Sequence, residues 1–346
     1  MSETPVLEGR NLTKFFWVKQ GRGPFARRLP VHAVENVSVS LDSRRVTAFV
    51  GESGAGKTTV ARILARIVKP DSGTVLLDGK PAPAGRPRSY ARQVQMVFQD
   101  PFSSLNPVHR VRHVVERPLK IHHLANGNAD ASVDELLRRV ALKPPSQYAD
   151  RFPHELSGGQ RQRVSIARAL AVKPRVLIAD EPVSMLDVSI RLGVLNLLAD
   201  LRDKENLAIL YITHDIASAR YLADVIVVMY AGQLVEAAPS AELTDRPAHP
   251  YTQLLINAAP DPDRAQHARL EDRGSPPSLL APPSGCRFHP RCPHAMDVCK
   301  RKAPPSVTVA DGHIAACWLH VDPAERQASD NGIPADHPIV SEKQKR

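Results

Sequence analysis

The chain is 346 residues long, and no apolar run in it comes near the roughly 18 residues needed to cross a membrane. The longest apolar stretches, "VIVVMY" and "LAILYI", have the length of strands. The start, "MSETPVLEGR", lacks the charged opening and apolar stretch of a signal peptide, so the expected setting is the cytoplasm. No internal repeat is present, which sets aside solenoid and propeller architectures. The net charge is +10, yet the basic residues form no single block. A solvated basic surface therefore explains the charge as well as a nucleic-acid groove does. Cysteine is scarce, and all four residues fall between Cys286 and Cys317. In a cytosolic chain such clustering points to metal before disulfides.

What is present is an α/β pattern. Residues 5–16 and 31–41, "PVLEGRNLTKFF" and "VHAVENVSVSL", alternate in polarity like half-buried strands. Between them "VKQGRGPFARRLP" is basic and rich in Gly and Pro, and reads as a loop. From Arg45 continuous apolar strands ("VTAFV", "VQMVF", "RVLIAD", "LAILYIT", "VIVVMY") alternate with helical patterns, and residues 108–150 are mostly helical. That pattern predicts a parallel sheet covered on both faces. The expected organisation is a main α/β domain over 1–258, a Pro-rich linker over 259–285, a Cys-rich, metal-binding segment over 286–320 and a polar, disordered tail over 321–346.

"GESGAGKT" fits G-x-x-x-x-G-K-[ST] at Gly51, Gly56, Lys57 and Thr58, after a strand and at the start of a helix. The alternative is a plain glycine turn, but strand, motif and helix stand in the required order. Glycines let backbone N–H groups turn onto the β-phosphate, and the helix N-terminus adds partial positive charge. The expected ATP contacts run through Gly51, Ser53, Gly54, Gly56, Lys57, Thr58 and Thr59. Lys57 would bridge the β- and γ-phosphates, and the Thr58 hydroxyl would face magnesium. "RVLIADE" ends a buried strand on Asp180, suited to magnesium, and Glu181, suited to polarising an attacking water.

A second glycine-rich stretch, "LSGGQ", stands about 100 residues beyond the first. P-loop, "VFQDP", "LSGGQ", "LIADEP", "SMLD" and "ITHD", in that order, resemble the ATPase subunit of an ABC transporter over about residues 5–258. The resemblance implies an ABC-type P-loop NTPase fold, with a parallel sheet core, an antiparallel β subdomain and a helical subdomain. It implies that two subunits sandwich ATP, so that Ser157, Gly158, Gly159 and Gln160 of one serve the nucleotide of the other. A helix start with unpaired N–H groups suits that task. It further implies adenine stacking on Phe16 (or on Phe15 or Trp17 instead), a role for Gln99 at magnesium and the attacking water, Asp187 at the dimer interface, and His214 holding the γ-phosphate and orienting Glu181. Met185 departs from the smaller residue expected there.

"MVFQDPFSSLNP", "AHPYTQLL" and "GCRFHPRCPHAMDVC" resemble, more narrowly, the ATPases of bacterial dipeptide and oligopeptide importers. That likeness implies a second, different ATPase subunit, two permeases, an extracytoplasmic binding protein, and a peripheral place at the cytoplasmic membrane face. Relatives import nickel or oligosaccharides, and the cargo does not touch this subunit. DNA-acting ABC ATPases carry long coiled coils between P-loop and "LSGGQ", and no heptad run stands here. Translation-associated ABC proteins carry two cassettes, whereas this chain has one P-loop.

The cysteines follow C-x5-C-x6-C-x17-C, at Cys286, Cys292, Cys299 and Cys317, without the paired C-x2-C knuckles of zinc ribbons. Four thiolates at uneven spacing suit an iron–sulfur cluster, and the importer resemblance implies a 4Fe–4S cluster. His289, His294, His313 and His320 lie nearby and keep zinc open, as is a segment without metal.

Overall fold

The computed structural model describes residues 4–21, 27–100, 104–125, 128–258 and 274–330. The first strands are β1 (Leu7–Gln20) and β2 (Arg27–Leu41), followed by β3 (Val46–Val50), α1 (Lys57–Leu64), β4 (Ser72–Leu77), β5 (Lys80–Pro81), α2 (Arg88–Gln93) and β6 (Val94–Val97). The helical stretch holds α3 (Val111–Ile121) and α4 (Ala129–Arg139). Next come α5 (Gly158–Leu170), β7 (Val176–Asp180), α6 (Val188–Glu205), β8 (Ala208–Thr213), α7 (Ile216–Leu222), β9 (Val225–Tyr230), β10 (Gln233–Pro239), α8 (Ser240–Asp245) and α9 (Pro250–Ala258). The C-terminal part adds α10 (Asp297–Arg301), β11 (Ser306–Ala310), β12 (His313–Ala316) and α11 (Pro323–Asp330).

An eight-stranded sheet runs β11-β12-β10-β9-β3-β8-β7-β6. From β9 to β6 every pairing is parallel. β3, β7 and β8 are buried along their whole length because alternate side chains feed two different cores. Val46, Ala48 and Val50, with Leu177, Ala179, Ile209 and Tyr211, join the core shared with α5, α6 and α7. Phe49, Val176, Ile178, Leu210 and Ile212 point to the other core, with Val60, Ile63 and Leu64 of α1 and the strands of a four-stranded antiparallel sheet, β2-β1-β4-β5.

Two readings change. Residues 18–20 and 27–30, expected as loop, are strand, with Val18 opposite Leu29, Lys19 opposite Arg28 and Gln20 opposite Arg27. Their exposed, basic composition conceals the pairing, and Pro30 is tolerated because β2 is an edge strand of its sheet. The Cys-rich segment, for its part, joins the main sheet. β12 pairs with β10, placing Ile314 opposite Ala237 and Ala315 opposite Glu236, and so extends the main sheet. The seam is sealed by polar pairing: Glu236, fully buried, accepts from His313 Nε2 at 2.7 Å and from the N–H groups of Ala248 and His249 at 2.8 and 2.9 Å. Phe288, buried, packs edge-on to Tyr230 and beside Tyr251. Of the expected linker, residues 259–273 lie outside the described residues, as do 331–346 of the expected tail, while Pro323–Asp330 is helical.

Candidate functional site

Parallel pairing aligns the C-terminal ends of β3, β8, β7 and β6, which is where an open α/β sheet binds ligands. The P-loop follows β3, Glu181 follows β7, His214 follows β8, and Gln99 stands two residues beyond β6. Residues far apart in sequence thereby meet around one open cavity of about 770 Å³. Its walls include Phe16, Glu52, residues 53–59, Gln99, Glu181 and His214.

Gly56 caps α1 with φ 99°, and a Cβ there would stand 2.3 Å from the Ala33 carbonyl oxygen, so no side chain fits. Lys57 follows, buried, and its Nζ donates to the carbonyls of Gly51 (2.7 Å) and Glu52 (3.0 Å), bracing the loop from inside. Burial lowers its pKa, against the pull of the Glu181, Asp180 and Glu52 carboxylates. Thr58 Oγ1 donates to Asp180 Oδ1 at 3.0 Å. Burial raises the Asp180 pKa and the Thr58 hydrogen bond offsets part of that, while the charge of Glu181 adds to the rise. A buried carboxylate beside a hydroxyl and a second carboxylate has the donor chemistry of a magnesium site.

Glu181 sits at φ 44°, an uncommon conformation for a non-glycine residue, and its N–H donates to the Ile212 carbonyl at 2.9 Å. Its carboxylate accepts from Gln99 Nε2 at 3.0 Å and lies 3.4 Å from His214 Nδ1. The arrangement can hold a water-activating carboxylate between an amide and an imidazole at the mouth of the phosphate loop.

Of the three aromatic candidates, Phe16 lines the cavity. Phe15 packs edge-on against His32, and Trp17 is exposed. Ser157, Gly158, Gly159, Gln160 and Asp187 do not line the cavity. Ser157 and Gln160 form a reciprocal cap, Gln160 N–H to Ser157 Oγ at 3.3 Å and Ser157 N–H to Gln160 Oε1 at 3.0 Å, and Asp187 caps α6 without a side-chain hydrogen bond. Met185 is exposed. The sequence reading missed Ala33, Leu255 and Leu279, which complete the cavity wall. Leu279, in the stretch expected to be linker, is held there by an N–H from His32 to its carbonyl at 2.9 Å. No local pattern announces such a residue, because only the return of the chain places it.

None of the four cysteines is in a disulfide. Burial, then the neighbouring cysteines, push the Cys286 thiol up to about 12, and burial foremost takes Cys317 to about 11. Among the described residues no group of three or more His, Cys, Asp or Glu side chains is placed to hold a metal ion. The expected ligand set of Cys286, Cys292, Cys299 and Cys317 is therefore not assembled in this structure, although the four share one electrostatic neighbourhood.

The P-loop between β3 and α1, with acidic, amide and imidazole groups gathered on the adjoining strand ends, defines a nucleotide-hydrolysing P-loop ATPase. The comparisons narrow the class. The chain matches the ABC transporter family over residues 34–184 and the oligopeptide/dipeptide transporter C-terminal region over residues 235–299. It is 43% identical to a probable peptide ABC transporter ATP-binding protein of Sinorhizobium fredii, over 95% of this chain and 94% of the relative. It is 41% identical to the oligopeptide transport ATP-binding protein AppF of Bacillus subtilis, over 92% and 98%. Among solved structures it resembles cbiO1 of Clostridium perfringens, part of an ABC transporter complex, at TM-score 0.60 and 27% identity over 70% and 92% of the two chains. It also resembles a dimeric ATP-binding cassette bound to ADP and Pi, at TM-score 0.57 and 26% identity over 68% and 98%. The chain belongs to the ABC transporter ATP-binding proteins and carries their C-terminal oligopeptide/dipeptide transporter region.

Proposed function

We propose that this ATPase powers import of dipeptides or oligopeptides through a membrane ABC transporter, pairing head to tail with a second ATPase subunit beneath two permeases. The relatives named for peptide transport support the cargo, which arrives by way of an extracytoplasmic binding protein. An oligosaccharide or nickel importer is the alternative. Among the described residues no helix is long and apolar enough to cross a membrane, so the reading places the subunit peripherally, held to the cytoplasmic face by the permeases.

The observation that carries the pairing is the separation of the two glycine-rich stretches. Glu52–Thr59 lines the cavity, whereas the Ser157 helix start does not. In the proposed sandwich Ser157 and Gln160 leave their mutual cap and, with Gly158 and Gly159, meet the partner's nucleotide, with Asp187 at the same interface. Phe16 stacks on adenine, and Gly51, Ser53, Gly54, Gly56, Lys57, Thr58 and Thr59 hold the phosphates. Magnesium held by Thr58, Gln99 and Asp180 would neutralise phosphate charge. Glu181 accepts the proton of the attacking water, while Gln99 and His214 hold its carboxylate in place. Glu181→Gln should bind ATP and accumulate as an ATP-dependent dimer with the partner ATPase, measured by light scattering after gel filtration. A strictly monomeric Glu181→Gln protein under saturating MgATP would refute the sandwich.

The proposal extends to the cysteines. Their all-thiol donor set and uneven spacing favour Cys286, Cys292, Cys299 and Cys317 as ligands of a structural or regulatory 4Fe–4S cluster, with zinc as the alternative, and binding either would draw the four side chains closer than they stand here. Such a group would supply cross-linking, and redox sensitivity if it is iron–sulfur. On this reading the functional division is a nucleotide-binding cassette through about residue 258, a connecting stretch to 285, and a cysteine-bearing segment over 286–320 built onto its sheet.

A further inference from the structure

The turn between Cys286 and Cys292 carries two arginines that reach into the cassette. Arg287 donates to the Ala231 carbonyl and to Glu35 of β2. Arg291 reaches the P-loop itself. Its Nη1 stands 3.1 Å from both carboxylate oxygens of Glu52 and its Nη2 3.1 Å from Oε1. The guanidinium also donates to Tyr230 Oη at 3.3 Å and lies 5.8 and 5.9 Å from the Tyr230 and Phe288 ring centres. Glu52 is gripped at its backbone too: its N–H donates to Tyr251 Oη at 2.9 Å, and its carbonyl accepts from Lys57. The pair is largely withdrawn from water, with 11% of the Arg291 and 26% of the Glu52 side chain exposed.

Glu52 lines the cavity beside Ser53, Gly54 and Gly56, where the phosphates must lie. An uncompensated carboxylate there would repel a polyphosphate. We infer that Arg291 is a positioning residue for ATP binding: it neutralises and aims the Glu52 carboxylate at the rim of the phosphate cradle. The cysteine-bearing segment thereby sets the affinity of the P-loop for nucleotide. The inference rests on Gly51–Thr59 being the ATP site and on nothing said about cargo or metal. It differs from a purely structural tether in its dependence on charge. Unmasking one negative charge in a partly buried phosphate site weakens binding by roughly tenfold, and added salt shrinks the effect.

The test is isothermal titration of the full chain with MgATP, in a Glu181→Gln background so that nucleotide persists. Arg291→Met should raise the Kd roughly tenfold at low salt, and Arg291→Lys, which loses the forked geometry but keeps the charge, should stay within about threefold of the parent. Adding Glu52→Gln to Arg291→Met should restore binding, because the unmasked charge is gone. Glu52→Gln alone should tighten binding, since Arg291 then faces the phosphates unpaired; this arm stands even where Arg291→Met does not fold. Parental affinity in a folded Arg291→Met protein, a double variant as weak as Arg291→Met, or weaker binding by Glu52→Gln alone would each overturn the inference. A parent chain that does not bind MgATP would overturn the ATP-site reading itself.

Discussion

His249 offers a measurable consequence of how the C-terminal segment is sealed to the sheet. The residue is 1% exposed, and its Nδ1 accepts the Tyr251 N–H at 3.0 Å, so the proton of the neutral ring belongs on Nε2. Charging the ring would require a proton on the one nitrogen already used as an acceptor. Burial lowers its pKa from 6.5 to about 4; the nearby Glu236 carboxylate pulls upward and His320 adds to the depression. The sign follows from linkage. Between about pH 6.5 and 4 the unfolded chain binds a proton that the folded chain refuses, so stability is lost as pH falls. The loss from this one residue is on the order of 1 kcal/mol at pH 5.5 and about 2–3 kcal/mol at pH 4.5. Urea unfolding at about pH 7.5, 5.5 and 4.5 measures it by comparing the parent with His249→Asn, whose side-chain oxygen can accept the Tyr251 N–H but does not titrate. The variant should be less stable at neutral pH and should lose about 2–3 kcal/mol less than the parent on acidification to pH 4.5. Parallel losses in the two proteins would refute the assignment of a neutral, acid-sensitive His249.

Two further outcomes follow from the site and the cysteines. Gly56→Ala places a Cβ 2.3 Å from the Ala33 carbonyl oxygen at φ 99°, so MgATP binding should fall below detection in titration calorimetry, while a wild-type Kd would show that the loop is not held as described. Anaerobically purified chain should contain about four iron and four sulfide per protein and absorb in the visible, and Cys317→Ser should lose that iron; colourless, iron-free protein would count against the cluster, and bound zinc in its place would favour the alternative.

The P-loop was legible in the sequence because all its parts are contiguous: an apolar strand, glycines where the backbone must turn, a lysine, a threonine, a helix. Asp180 and Glu181 were legible as acids ending a buried strand. Gln99 and His214 were named by resemblance rather than by any local rule, since a glutamine after "VF" and a histidine after "IT" carry no signal alone. Sheet order brings them to Glu181, with β6, β7 and β8 adjacent and parallel and their ends aligned. Residues 18–20 and 27–30 were misread because composition reports exposure, whereas cross-strand pairing makes the strand.

What the sequence by itself determined is the chemistry supported by neighbours in the chain: the phosphate loop, the acidic strand end, the capped helix at Ser157 and the crowding of cysteines into one segment. Periodicity and short motifs suffice there, because the forces that shape them act over a few residues. Only the tertiary structure decided that β12 closes onto β10, that Leu279 walls the nucleotide cavity, and that Arg291 grips Glu52 from 239 residues away. Such contacts depend on how a whole sheet orders its strands and on which buried charges must find partners, and neither is written in any short stretch of chain.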